Sequence, residues 1–150
     1  MPLNRKLQQL VDELSVIDDP QERLSLLVDR SRKTPPLPAA ERTEANLIPG
    51  CVSVVWVVGE VRNGLCYFRS DAESAIVRAL VGFLCEFFSG FTPETLLAGD
   101  PDPLDALGLA RTLSPTRRNG LNATRSAIRA FAARARSADQ AATRPPQPPP

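Results

Sequence analysis

The chain has 150 residues, 43% hydrophobic and 23% charged, and its 18 Lys and Arg against 17 Asp and Glu leave a net charge of +1. That suits one domain with a real core and gives no overall field to draw in nucleic acid or a membrane surface. There is no histidine, which removes Ser–His and Cys–His dyads, most zinc sites and the commonest general base near neutrality, so a self-sufficient hydrolase is disfavoured.

In chain order, Leu3, Leu7, Leu10, Val11 and Leu14 recur at helical spacing and predict an amphipathic helix ending near Val16. Asp19-Pro20-Gln21-Glu22 reads as the start of a second helix, with Asp19 as cap, Pro20 in the first turn, and Leu24, Leu27 and Val28 facing inward. Pro35-Pro36-Leu37-Pro38 stops that helix and imposes an extended connector, and the polar stretch Ala40 to Asn46 has room for one or two helical turns. Val52 to Val61 is β-branched and aromatic, Asn63-Gly64 is a strong hairpin signal, and Leu65 to Arg69 returns. Ser74 to Phe88 is a largely apolar helix stopped by Gly90, and Thr92-Pro93-Glu94 opens a short one broken at Gly99 to Pro103. Ser114-Pro115 starts the last helix, with Leu121, Ile128 and Phe131 as its inner face.

The expected fold class is α+β, a small antiparallel sheet (hairpin 52–61/65–70) packed against several helices. A third strand is plausible on this pattern and has no obvious place. Residues 1–137 form one domain, and 138–150, ending in Arg144-Pro145-Pro146-Gln147-Pro148-Pro149-Pro150, form a disordered or polyproline tail. No stretch is apolar enough to span a membrane, and the N-terminus shows no signal-peptide pattern. Three cysteines at irregular spacings argue against a disulfide framework, so a cytoplasmic location is expected.

The cysteines differ in setting. Cys85 lies on the most apolar helix and Cys66 in the return strand, both places where a cysteine usually serves as a small packing residue. Cys51 follows Pro49-Gly50, a stiff and then permissive pair that suits a tight protruding turn. A working thiol and an inert one are both open there. Zinc or an iron-sulfur cluster would need several converging ligands, and no Cys-x-x-Cys is present.

Several stretches are similar, in order and spacing, to the SufE family of sulfur-acceptor proteins. They are Pro35-Pro36-Leu37-Pro38 with Glu41-Arg42-Thr43, and Pro49-Gly50-Cys51-Val52-Ser53-Val54-Val55-Trp56. Asp71 with Ala75 to Leu80, Phe91-Thr92-Pro93-Glu94, and Leu113-Ser114-Pro115-Thr116-Arg117-Arg118-Asn119-Gly120-Leu121 complete the set. Together they cover roughly residues 10 to 135. The resemblance implies a fold like the IscU-type scaffolds, and a role for Cys51 as acceptor of persulfide sulfur from a SufS-type cysteine desulfurase. It implies that the chain stimulates the desulfurase and delivers sulfur to a SufBCD-type scaffold, with pyridoxal phosphate belonging to the partner. The chain itself would carry no cofactor or metal and would be a monomer or weak homodimer.

The resemblance also implies Gly50 and Ser53 as residues that support the cysteine within that motif. Arg117, then Arg118, are the cationic groups that could activate a thiol lacking any histidine; the bland reading of Arg117 is a structural arginine at a helix start. Glu73 aligns with an acidic position near the loop, or complements a helix dipole. Val52 and Thr112 depart from the family, which often has Gln and His there. The Cys51 loop is expected to rest on apolar surface and swing out to the partner, protecting a persulfide from reductants and oxidants. Competing readings are a cluster scaffold and a nucleic-acid module using the arginines of the last helix.

Overall fold

The computed structural model describes residues 2–50 and 53–143, with side-chain surroundings through Ala141. Its order is α1 (Leu3–Leu14), α2 (Pro20–Arg32), two single 3₁₀ turns (Ala39–Glu41 and Glu44–Asn46), β1 (Val55–Arg62), β2 (Leu65–Ala72), α3 (Ala75–Phe88), α4 (Pro93–Leu97), α5 (Pro103–Ala106), a 3₁₀ turn at Ala110–Thr112 and α6 (Pro115–Thr143). The expected α+β class is found.

Local chemistry explains most boundaries. The Asp19 carboxylate accepts the Gln21 N–H at 3.0 Å and opens α2, while Ser74 and Thr92 hydroxyls cap α3 and α4 in the same way. β1 and β2 pair antiparallel from Val55↔Ala72 to Arg62↔Leu65, so the turn between them holds two residues. Those residues, Asn63 at φ 54° and Gly64 at φ 77°, are both left-handed, as a twist-matched two-residue hairpin requires.

Among the described residues the sheet has two strands, but both outer edges are partly occupied. Leu47 bridges to Trp56 beyond β1, and Phe91 bridges to Cys66 beyond β2. These single bridges take the edge positions that a third strand would fill. Their shortness follows from the chain on either side, a 3₁₀ turn before Leu47 and a helix starting at Pro93.

The core lies on one face of the sheet. The register places Val55, Val57, Gly59 and Val61 on one side with Ala72, Ser70, Phe68 and Cys66. α3 covers this face and is buried along most of its length, with Leu80, Val81 and Leu84 at the centre. Phe131 of α6 packs edge-on against Phe68, ring centroids 5.4 Å apart.

Three expectations need correction. The strand begins at Val55, with Ser53 in a bend and Val52 outside the described residues. The Gly99–Pro103 break is followed by a further helical turn, α5, because Asp102 caps it (N–H of Asp105 to Oδ1, 3.1 Å) and Pro103 suits the first helical position. α6 continues through Thr143, past the expected boundary at 137. Ala138, Ala141 and Ala142 favour helix, and no breaker occurs before Pro145, so a helix already nucleated on the core propagates outward. Residues 144–150 of the expected tail lie outside the described residues.

Candidate functional site

The cysteine loop is defined by its base. The Ile48 N–H donates to the Val55 carbonyl at 2.9 Å, and the Glu73 N–H donates to the Val54 carbonyl at 3.2 Å. These two bonds form a hydrogen-bonded neck at the base of the loop, with β1 continuing from it and the β2–α3 junction beside it. Ile48 and Val55, at the neck, are both buried within the apolar core.

Above the neck, Pro49, Gly50 and Ser53 are exposed, and Gly50 has φ 82°. That value explains why glycine precedes the cysteine, because a side chain there would be strained. Cys51 and Val52 lie outside the described residues. Gly50 and Ser53 bracket them on the surface side of the neck.

The approach to the loop is a surface strap. Leu37, 4% exposed, and Ile48, 8%, are anchored in the core, and none of the residues between them is buried. Midway, Arg69 of β2 grips the Glu41 carboxylate with both guanidinium nitrogens, and Asn46 donates to the Glu41 carbonyl at 2.8 Å. The Arg69 hydrogen bonds hold the Glu41 carboxyl below its usual range.

The predicted supporting residues separate into two groups. Glu73 is exposed and joined to the neck through its backbone, while Ser74, not Glu73, caps α3. Arg117 and Arg118 are exposed in the first turn of α6, their N–H groups held by the Ser114 hydroxyl at 3.2 Å and the Ser114 carbonyl at 3.0 Å. Neither guanidinium forms an ion pair among the described residues, and no contact brings either to the neck.

The other two thiols are sequestered. Cys66 is fully buried, and burial pushes its thiol up, helped by the negative Glu94. Cys85 is 2% exposed, and burial pushes its thiol up to about 12 against an opposing hydrogen bond with Ser70. Both are thereby kept protonated and poorly nucleophilic. Among the described residues no three Cys, Asp or Glu side chains are grouped to hold a metal ion. No helix among them is long and apolar enough to cross a membrane.

Sequence reasoning missed the polar network under the neck. Asp71, 6% exposed, pairs with Arg78 (Nε to Oδ1, 3.1 Å), whose guanidinium also reaches the Ser31 and Thr34 carbonyls at 2.8 Å each. An acid at the end of a strand and an arginine seven residues on, on a buried helix, were the available signal.

Comparison with known proteins agrees with this architecture. The model of the family described as "SufE: Fe-S metabolism associated domain" matches residues 8–132. An uncharacterized SufE-like protein of Synechocystis is 30% identical over 114 residues, covering 76% of this chain and 72% of that one. An uncharacterized SufE-like protein of Rhizobium meliloti is 32% identical over 128 residues, covering 82% of this chain and 89% of the other. The solution structure of a hypothetical protein from Thermus thermophilus superposes with a TM-score of 0.71 at 25% identity, over 88% of this chain and 96% of that one. With its fold and most of its length in agreement, the chain belongs to the SufE family, a domain of iron-sulfur metabolism.

Proposed function

We propose that this protein is a sulfur carrier that accepts persulfide sulfur on Cys51 from a SufS-type cysteine desulfurase and passes it to a SufBCD-type iron-sulfur assembly scaffold. The observation that carries the reading is the contrast among the thiols. Cys66 and Cys85 are buried and held protonated, while the residues bracketing Cys51 are exposed above a closed neck. The same burial disfavours a cluster scaffold, since two of the three available thiolates would have to form inside the core.

The transfer is an exchange at sulfur. The Cys51 thiolate attacks the terminal sulfur of the desulfurase persulfide, a new S–S bond forms on Cys51, and the donor's S–S bond breaks. The donor cysteine leaves as a thiolate and is reprotonated, so no outside oxidant is needed. Clearing sulfur from the donor for the next cycle is how the carrier speeds the desulfurase. Pyridoxal phosphate stays with the partner and releases the sulfur from cysteine there.

An ordinary thiol is only a few per cent ionised at neutral pH, and this chain has no histidine to raise that fraction. The exposed guanidinium groups of Arg117 and Arg118, free of ion pairs among the described residues, are suited to stabilise the thiolate once the partner closes over the loop. The reading is tested by alanine release from a SufS-type desulfurase, with stimulation expected from the wild type and absent with Cys51→Ser. Equal stimulation by both would sink it.

A further inference from the structure

We propose that buried Asp71, with the half-buried Arg78 it pairs with, positions the cysteine loop for transfer, an inference that rests on the reading of Cys51 as the acceptor. The Asp71 carboxylate accepts hydrogen bonds from three places. They are the Leu37 N–H at 3.1 Å, the Ala72 N–H at 2.8 Å and Arg78 Nε at 3.1 Å. Arg78 then ties the end of α2 to the same point through the Ser31 carbonyl at 2.8 Å, the Ser31 hydroxyl at 3.2 Å and the Thr34 carbonyl at 2.8 Å.

This network holds both supports of the loop. The strap that delivers the chain to Pro49 starts at Leu37, whose amide rests on Asp71. The neck that closes the loop rests on Val55, which faces Ala72 across the ladder, and the Ala72 amide also rests on Asp71. Between Leu37 and Ile48 the strap buries no residue, and what ties it to the sheet between its ends is the Leu47–Trp56 bridge and the largely solvent-accessible Glu41–Arg69 pair. An exposed ion pair is a weak constraint. A carboxylate with three donors and 9% of its side chain exposed is a strong one, because breaking it leaves an uncompensated buried charge.

Positioning matters here because displacement at sulfur needs the thiolate in line with the bond it breaks, and a misplacement of about 1 Å can cost on the order of 100-fold in rate. Asp71 and Arg78 touch no reacting atom in this account. They act through the strap and the neck.

The test is single-turnover transfer from persulfidated desulfurase to the full-length chain, using Asp71→Asn and the milder Arg78→Lys, which keeps a charge beside Asp71 but loses its reach to α2. We expect both to slow transfer about tenfold or more, while the half-saturating carrier concentration and the alkylation rate of Cys51 by iodoacetamide stay within about twofold. Transfer at the wild-type rate in both folded variants would overturn the inference. Amide exchange on the wild type decides the matter should the variants fail to fold. The Leu37, Ile48 and Glu73 amides should exchange together, as one opening unit. Ile48 and Glu73 exchanging about tenfold faster than Leu37 would show the loop untied from the pair and overturn it. Cys51→Ser in the same assay separates the two ideas. Transfer surviving in that variant breaks the acceptor reading, whereas its loss alongside intact Asp71→Asn transfer breaks only the positioning role.

Discussion

The ring of Phe131 lies directly over Gly59, its Cδ2 and Cε2 atoms only 2.7 Å from where a Cβ on that glycine would sit. α6 can approach β1 this closely because the strand offers no side chain at that point, and the same ring then meets Phe68 edge-on. Gly59→Ala should therefore push α6 from the sheet and destabilise the fold by about 1–3 kcal/mol, in the range of core overpacking. Thermal or urea unfolding measures this, and a neutral substitution would show that the Phe131 ring can yield to a methyl group.

The buried thiols give a prediction about alkaline pH. Cys85 has its thiol raised from 9.0 to about 12 in the folded chain. Above pH 9 the unfolded chain releases this proton first and binds fewer protons than the native one, so stability falls as pH rises through that window. Below pH 9 both states hold the proton and no slope arises from it. Urea unfolding of wild type and Cys85→Ala between pH 8 and about 11 should show the wild type losing stability more steeply. Parallel profiles would contradict the burial of this thiol.

Accessibility follows from the same contrast. In the native protein at mildly alkaline pH, a thiol reagent should modify Cys51 and leave Cys66 and Cys85 unmodified until denaturant is added. Peptide mapping of the adducts reads this directly, and rapid labelling of Cys66 would count against its place in the core.

Arg117 offers a separation of function from stability. It is exposed, has no ion pair among the described residues, and anchors its turn through the backbone. Arg117→Ala should change stability by no more than about 0.5 kcal/mol, as surface substitutions do, yet reduce desulfurase stimulation severalfold. A variant that loses both in proportion would return Arg117 to a structural role.

Much of this was readable from the chain because local chemistry set it. Asp19, Ser74 and Thr92 cap helices where capping residues precede apolar runs, and Asn63-Gly64 turns the hairpin where two left-handed residues are needed. The burial of Cys66 and Cys85 followed from their apolar neighbours. What escaped was non-local. The Asp71 contact with Leu37 joins residues far apart in the chain, and periodicity carries no trace of it. Thr124, fully buried on α6, returns its hydroxyl to the Gly120 carbonyl at 3.0 Å, so a polar residue sits in the core with its hydrogen bond made inside its own helix. The proline-rich end predicts an early finish to α6, whereas the alanines before it extend the helix to Thr143.

If this chain carries sulfur, it does so on Cys51. The most direct measurement incubates the full chain with a SufS-type desulfurase and cysteine, followed by non-reducing peptide mass spectrometry. The peptide containing Cys51 should be heavier by one sulfur atom, with the peptides of Cys66 and Cys85 unchanged. Sulfur mapped to Cys85 or Cys66, with Cys51 unmodified, would contradict it.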